Sequence, residues 1–433
     1  MNKNAEYQEK AHLYIPGGAH TYSRGDDQYP LNAPTVLEKG EGCYVWDVDG
    51  NKYLDYGMAL RSVTVGYGYD RIAKAAVEQI YMGNNLTRAS KIEVDAAEAL
   101  VDTIPGMDMV KFGKNGSVVT TAAVKLARAY TGKKYIARCA QHPFFSYDDW
   151  FIGSTVMTSG VPEEMRSLTL QFHFNDIASA EKLFEQYPNE IACIILEPAT
   201  TVEPKDNFLH KLKELCHKNG AVFIIDEMIT GFRWDLKGAQ HYYDIQADLT
   251  TFGKGMANGF SVAALMGKKE IMQLGGLFHD KERVFLVSTT HGAEMCGLGA
   301  LVETIKVYKE LNVTDHLWNY GRKLIDGMNN IAKELGIADK FYVEGVAVSP
   351  NYICKDNSTN ISMEFRTLFS QEMINNGVLM PWIALSYCHG EKEFEMTLEA
   401  TRKTLGIYKK ALEEGVEKYL VGRPIKPVFR KYN

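Results

Sequence analysis

The chain has 433 residues, 45% hydrophobic and 24% charged, with a formal net charge of −6 from 48 basic and 54 acidic side chains. No long run of one sign is present, which disfavours a nucleic-acid or polybasic membrane role, and no apolar stretch is long enough to span a bilayer. The N-terminal stretch MNKNAEYQEKAHLYIPGG lacks the apolar core of a secretory signal, so the expected setting is the cytoplasm. Seven scattered cysteines (Cys43, Cys139, Cys193, Cys216, Cys296, Cys354, Cys388) form no C-x-x-C pair, so neither a disulfide framework nor a metal site is expected.

In chain order, a short polar helix leads into a loop broken by Pro16, Gly17 and Gly18. GCYVWDVDGNKYLDYG then gives two β-rich runs joined at Asp49-Gly50, a hairpin signal. Between Asp70 and Thr103, apolar residues recur at three- and four-residue spacing and predict helices. KFGKNGSVVTTAAVKLARAYTG reads as a loop opening into a helix. Backbone N–H groups at such a start, with a hydroxyl beside them, bind phosphate, which makes Gly116 and Ser117 candidates. After a β-rich KYIARC, Asp176 to Tyr187 reads as a helix and IACIILEP as a buried strand ending in Glu197. NFLHKLKELCHKNG is an amphipathic helix stopped at Asn219-Gly220, and this alternation predicts an α/β fold with a mostly parallel sheet.

Ala221 to Ile225 is the next buried strand and delivers Asp226 and Glu227 at its carboxyl end, where open α/β sheets hold ligands. The turn Thr251-Phe252-Gly253-Lys254-Gly255 presents one lysine between two glycines, so the backbone can approach something flat. A carboxylate and a lysine so placed suit pyridoxal phosphate: the lysine forms the Schiff base and the carboxylate keeps the pyridine nitrogen protonated. On spacing alone, a strand-end aspartate and one surface lysine among many would look the same. SVAALMG is a further strand, and VFLVSTTHGAEMCG a hydroxyl-rich turn before a helix. The expected division is an N-terminal segment with its hairpin (1–69), a large domain (70–312) and a smaller C-terminal α+β domain (313–433). GYGYDR and FGKG lack Rossmann or P-loop spacing, which leaves a nucleotide-binding reading without support.

IIDEMITGFR followed by TTFGKGMANGF resembles the cofactor signature of the class III (subgroup II) aminotransferases, and within them the glutamate-1-semialdehyde aminomutase branch. The resemblance implies a fold type I, aspartate aminotransferase-like enzyme that uses pyridoxal 5′-phosphate. Lys254 would be the Schiff-base lysine, Asp226 the partner of the pyridine nitrogen, and Met228 the side chain packed under the ring. It also implies a homodimer whose active site is shared across the interface, with Thr290, or else Thr289, reaching the partner's cofactor phosphate. Where the family has an aromatic residue followed by histidine, this chain has Gln141 and His142. The ring cover is then the Gln141 amide or one of Phe144 and Phe145. Arg24 falls at the offset of the arginine that holds the substrate carboxylate, and Arg61 is a second candidate substrate contact.

Two departures concern substrate. Leu60 stands where the aminomutases have Trp, and Trp382 to Leu385 occupy the segment in which they carry a glutamate. These changes predict an aminotransferase acting from an amino-acid donor such as glutamate on another carbonyl compound. HPFFSYDDWFIGSTVMTSGVP is similar to aminomutase-like proteins of surface-polysaccharide or modified-sugar synthesis, which widens the acceptor to sugar or polyol derivatives. Intramolecular amino transfer of the aminomutase type is the alternative, and a catalytically silent member of the fold a second.

Overall fold

The computed structural model describes residues 3–432. The chain divides into two compact units: one takes the residues up to 69 together with 315–430, and the other takes 70–314 with the tail from 431.

The first unit opens with the helix Lys3–Tyr14 and an antiparallel meander of strands β1 (Leu37–Glu41), β2 (Tyr44–Asp47) and β3 (Lys52–Asp55). The β2–β3 turn lies where Asp49-Gly50 predicts it. Gly50 has φ +89°, and the Asp47 carboxylate accepts the N–H groups of Asp49 (3.0 Å) and Asn51 (2.8 Å).

The second unit holds the sheet on which the site is built. Its strands are β4 (Met109–Gly113), β5 (Tyr135–Cys139), β6 (Thr169–Phe172), β7 (Ile191–Leu196), β8 (Val222–Asp226), β9 (Leu249–Phe252) and β10 (Ala263–Gly267). They lie in the order β4-β10-β9-β8-β7-β5-β6. Strands β9, β8, β7, β5 and β6 pair parallel, and β10 pairs antiparallel with both β9 and β4, so it alone runs against the rest. Every residue of β7 and β8 is buried, as expected of central parallel strands covered on both faces. Helices start where side-chain caps allow: Asn115 accepts the Val118 N–H (3.1 Å) before the helix Gly116–Thr131, and Asp176 accepts that of Ser179 (3.2 Å) before Ile177–Gln186.

Past residue 315 the chain returns to the first unit with the antiparallel pair β11 (Phe341–Glu344) and β12 (Asn351–Cys354) and the helix Met363–Asn375. Strand β13 (Val378–Leu379) lies parallel beside β3, and the helix Glu391–Glu414 follows.

Candidate active site

The carboxyl ends of β4, β5, β7, β8 and β9 lie along one edge of the sheet, and each carries a candidate residue at its end or within three residues of it: Gly116, His142, Glu197, Asp226 and Lys254. In open α/β sheets this is the edge that receives ligands.

Asp226, the last residue of β8, is fully buried, and both of its protein donors fall on one oxygen. Oδ1 accepts the Thr251 hydroxyl at 2.8 Å and the Met228 N–H at 2.9 Å. Burial pushes its carboxyl up; the Met228 N–H, the Thr251 hydroxyl and the charge of Lys254 pull it back. Among the described residues Oδ2 takes no donor, so the second oxygen is open to an N–H that the chain does not supply. Thr251 stands opposite Asp226 in the β8–β9 register. Sequence reasoning missed its role, because only that pairing reveals it.

Glu227, the next residue, serves the chain instead. Its carboxylate accepts the Thr230 hydroxyl at 2.5 Å and the N–H groups of Ala239 (2.9 Å) and Gln240 (2.8 Å), and burial pushes its pKa up to about 7.

Lys254 follows β9 with φ +45°, a left-handed conformation, and its side chain is half-buried. Glycine is required just before it: a Cβ on Gly253 would lie 2.3 Å from Met228 Sδ. A Cβ on Gly116 would lie 3.1 Å from Met228 Cε. Met228 therefore lies against two backbones that carry no side chain, and its own N–H is bound to Asp226 Oδ1.

At the helix start the Asn115 side chain caps Val118, while the N–H groups of Gly116 and Ser117 belong to the first turn, which has no intrahelical acceptors. Ser117 Oγ accepts the Tyr147 N–H at 3.1 Å, which leaves its own proton to donate. Thr120 binds the Phe145 carbonyl (2.8 Å), and Trp150 Nε1 binds Thr121 (2.9 Å), so the loop after β5 is stitched to this helix.

His142 is fully buried, and its Nδ1 accepts the Glu197 N–H at 2.9 Å, so the proton sits on Nε2. Burial, with the charge of Arg138, lowers its pKa to about 3 and keeps the ring neutral. Gln141 is exposed, and its amide is in use: Nε2 bonds His173 Nδ1 at 2.9 Å and Oε1 accepts the Phe174 N–H at 3.0 Å. Phe145 is buried against Trp150 and Phe151, whereas Phe144 is half exposed. Thr289 and Thr290 are both exposed. Asn85 Nδ2 donates to the Thr290 carbonyl at 3.0 Å, and Glu294, four residues on, pairs with Lys114 at 2.7 Å. Arg24 and Arg61 belong to the other unit; Arg24 is exposed, and Arg61 Nη1 donates to Ser349 Oγ at 2.7 Å.

The second unit thus offers an amine, an aspartate with one oxygen open, an apolar surface bounded by two glycines and a helix start with a hydroxyl. That set fits a planar ring bearing an N–H, an aldehyde and a phosphate, which are the features of pyridoxal phosphate. Among the described residues no helix is long and apolar enough to cross a membrane, and no group of three or more His, Cys, Asp or Glu could hold a metal ion.

The family description of class-III aminotransferases matches residues 25–381. A glutamate-1-semialdehyde 2,1-aminomutase of Francisella philomiragia is 33% identical over 430 residues, covering 93% of this chain and 98% of its own. A 3-aminobutyryl-CoA aminotransferase of Cloacimonas acidaminovorans is 31% identical over 414 residues, covering 93% and 97%. Among solved structures, the PLP internal aldimine form of the FumI protein of Sphingopyxis sp. MTA144 superposes with a TM-score of 0.86 at 24% identity, covering 95% of this chain and 97% of that one.

Proposed function

From the premise that the chain belongs to the class-III aminotransferases, enzymes that use pyridoxal phosphate, we propose that it moves an amino group from an amino-acid donor, glutamate for instance, to a carbonyl compound of the sugar or polyol type. The observation that carries the proposal is the placement of Lys254 and Asp226 at the ends of the neighbouring strands β9 and β8, with the second oxygen of Asp226 unused. When bound, pyridoxal phosphate supplies an aldehyde for amines and a ring that takes up the electron pair released at the substrate carbon.

Lys254 Nζ would be the amine that holds the cofactor, and it would move the proton between neighbouring substrate positions. Asp226 would hold the pyridine nitrogen and favour its protonated form. Met228 would supply an apolar surface for the ring, the first turn of the helix Gly116–Thr131 with Ser117 would hold the phosphate, and Gln141 and His142 would line the site from the end of β5. Arg24 and Arg61 receive the anionic end of a substrate, for which a planar guanidinium fork is suited. Borohydride reduction of the loaded protein is expected to tag the peptide bearing Lys254; a tag on any other lysine overturns the assignment.

The active form is a homodimer in which Thr290 serves the partner's phosphate. Its support is the exposure of Thr289 and Thr290 on a segment that also exposes Leu277, Phe278 (92%) and Phe285. A monomer of full activity in size-exclusion chromatography would remove this claim.

Intramolecular transfer is the second reading, favoured by full-length similarity to aminomutases. Against it, the segment Trp382 to Leu385 supplies no carboxylate, and Ile383, Ala384 and Leu385 are fully buried. Efficient conversion of glutamate-1-semialdehyde to 5-aminolevulinate without an added amino donor would decide for the aminomutase.

A further inference from the structure

The segment 140–148 joins β5 to the helix Asp149–Ile152 on the carboxyl edge of the large sheet, and it sorts its aromatic side chains into an inner and an outer set. Phe145 is buried with Trp150 and Phe151, and the three rings pack together with centroids 5.7 to 6.5 Å apart. Phe144 and Tyr147 stay outside, 50% and 62% exposed. The Tyr147 hydroxyl meets no partner among the described residues.

The two outer rings are uncovered, yet the backbone that carries them is pinned to the helix Gly116–Thr131. Ser117 Oγ accepts the Tyr147 N–H at 3.1 Å, and Thr120 Oγ1 donates to the Phe145 carbonyl at 2.8 Å. Thr121 Oγ1 bonds Ser146 Oγ at 3.0 Å and also the Asp148 carboxylate, while Ser146 Oγ accepts the Asp148 N–H at 3.1 Å. The Phe144 ring stands edge-on to Phe151 with centroids 5.7 Å apart, so an inner ring props an outer one. A rigid scaffold that holds exposed aromatic rings in place presents them to a ligand rather than to its own core. Tyr147 is moreover tied to Ser117, the hydroxyl offered to the cofactor phosphate, so the two rings adjoin that end of the site.

The chemistry of the segment selects the ligand. From Cys139 to Met165 the chain carries no Lys or Arg, and Arg138 is buried on Ser154 Oγ (2.7 Å) and the Cys139 carbonyl (3.0 Å), so the segment does not suit an anion. It offers instead the exposed carboxylate of Asp149, which makes no ion pair among the described residues. Aromatic faces are electron-rich and attract the weakly positive C–H groups of a saturated ring, and a carboxylate accepts two hydroxyl protons at once. Two aromatic faces, a carboxylate and no cation suit an uncharged, polyhydroxylated ring such as a pyranose.

We propose that Phe144 and Tyr147 form a stacking platform for the sugar ring of the amino acceptor, with Asp149 taking its hydroxyls, and that they determine specificity for that substrate. This rests on the aminotransferase reading and narrows its acceptor to a sugar held by ring stacking rather than by charge.

Saturation-transfer NMR and calorimetric titration of the pyridoxal-phosphate-loaded protein with the methyl α-glycosides of glucose, galactose and mannose test it. At least one is expected to bind, with transfer strongest at its ring C–H protons. Phe144→Ala and Tyr147→Ala are each expected to weaken that binding roughly two- to tenfold, the range for one aromatic contact, and the double variant by more than either. Tyr147→Phe keeps the face and should bind as the natural protein does, whereas Tyr147→Leu, apolar without a π face, should match Tyr147→Ala; a merely space-filling residue would not separate the two. No binding of any of the three glycosides by the natural protein, or unchanged affinity in the double variant, overturns the inference. So does loss of cofactor absorbance in Phe144→Ala, which makes that ring a cofactor cover, or a change from dimer to monomer in the double variant, which makes the patch a subunit contact. Failure of the natural protein to take up pyridoxal phosphate counts against the aminotransferase reading, and uptake without glycoside binding counts against the platform alone.

Discussion

Asp226 and Asp55 each end a strand, one in each unit, and each is 3% exposed. Burial pushes both carboxyls up, and hydrogen bonds pull both back. They differ in which lone pairs the chain consumes. Asp55 spends both oxygens on three donors of its own unit, whereas Asp226 receives its two donors on Oδ1 alone. At equal burial, an unused oxygen distinguishes a carboxylate kept for a ligand from one kept for the backbone.

Lys254→Ala probes the open side of that contrast most severely, since it removes both the covalent anchor and the proton carrier. The half-reaction with an amine donor is expected to fall by at least ~10²–10⁴-fold in single-turnover absorbance measurements. Asp226→Asn keeps an oxygen for Thr251 and Met228, so its unfolding free energy should change by less than ~1 kcal/mol. Its half-reaction should still drop ~10²–10³-fold, as when a charge-stabilising group is lost. Asp55→Asn should do the reverse, costing about 1–3 kcal/mol of stability with cofactor uptake intact. Identical behaviour of the two variants would dissolve the contrast.

Gly253→Ala tests the apolar surface beside Asp226. Its Cβ would fall 2.3 Å from Met228 Sδ, so cofactor affinity should drop, and Met228→Ala in the same chain should relieve it with a coupling of about 0.5–3 kcal/mol.

The smallest effect is in pH. The folded state holds the Glu227 carboxyl at about 7 against 4.5 for the free side chain, so it binds a proton that the unfolded chain releases. That contribution is complete below 4.5 and is lost as pH rises through about 7, so Glu227→Gln should flatten this part of the stability curve in thermal unfolding. A slope that survives the substitution belongs to the other raised carboxyls, Asp226 and Asp55, whose shifts have the same sign.

What could be read from the chain alone follows from how locally it is written. Ile191–Leu196 and Val222–Asp226 announce themselves as apolar runs because central parallel strands are buried on both faces, and the lysine between glycines marks its own turn. The left-handed turn over Met58, Ala59, Leu60 and Arg61 (φ 39° to 67°) is not legible, since nothing in those residues favours positive φ and its clamp, Trp382 Nε1 on the Gly57 carbonyl, comes from 325 residues beyond. The use of Gln141 by His173 and Phe174 was equally hidden, because offset along a sequence says nothing about which neighbour an amide has found. The fold type was legible through the resemblance carried by IIDEMITGFR and TTFGKGMANGF, while the alternation of strands and helices gave only the mostly parallel sheet; the match over residues 25–381 and the TM-score of 0.86 agree with both.

The pairing of β13 with β3 also has a consequence for biosynthesis. The Leu54 N–H waits for the carbonyl of Gly377, and the Tyr56 N–H for that of Leu379. A ribosome therefore completes the entire seven-stranded sheet while the first hairpin stands with a bare edge, a template for any passing strand. Nascent chains stalled before Val378 keep that edge of β3 unpaired.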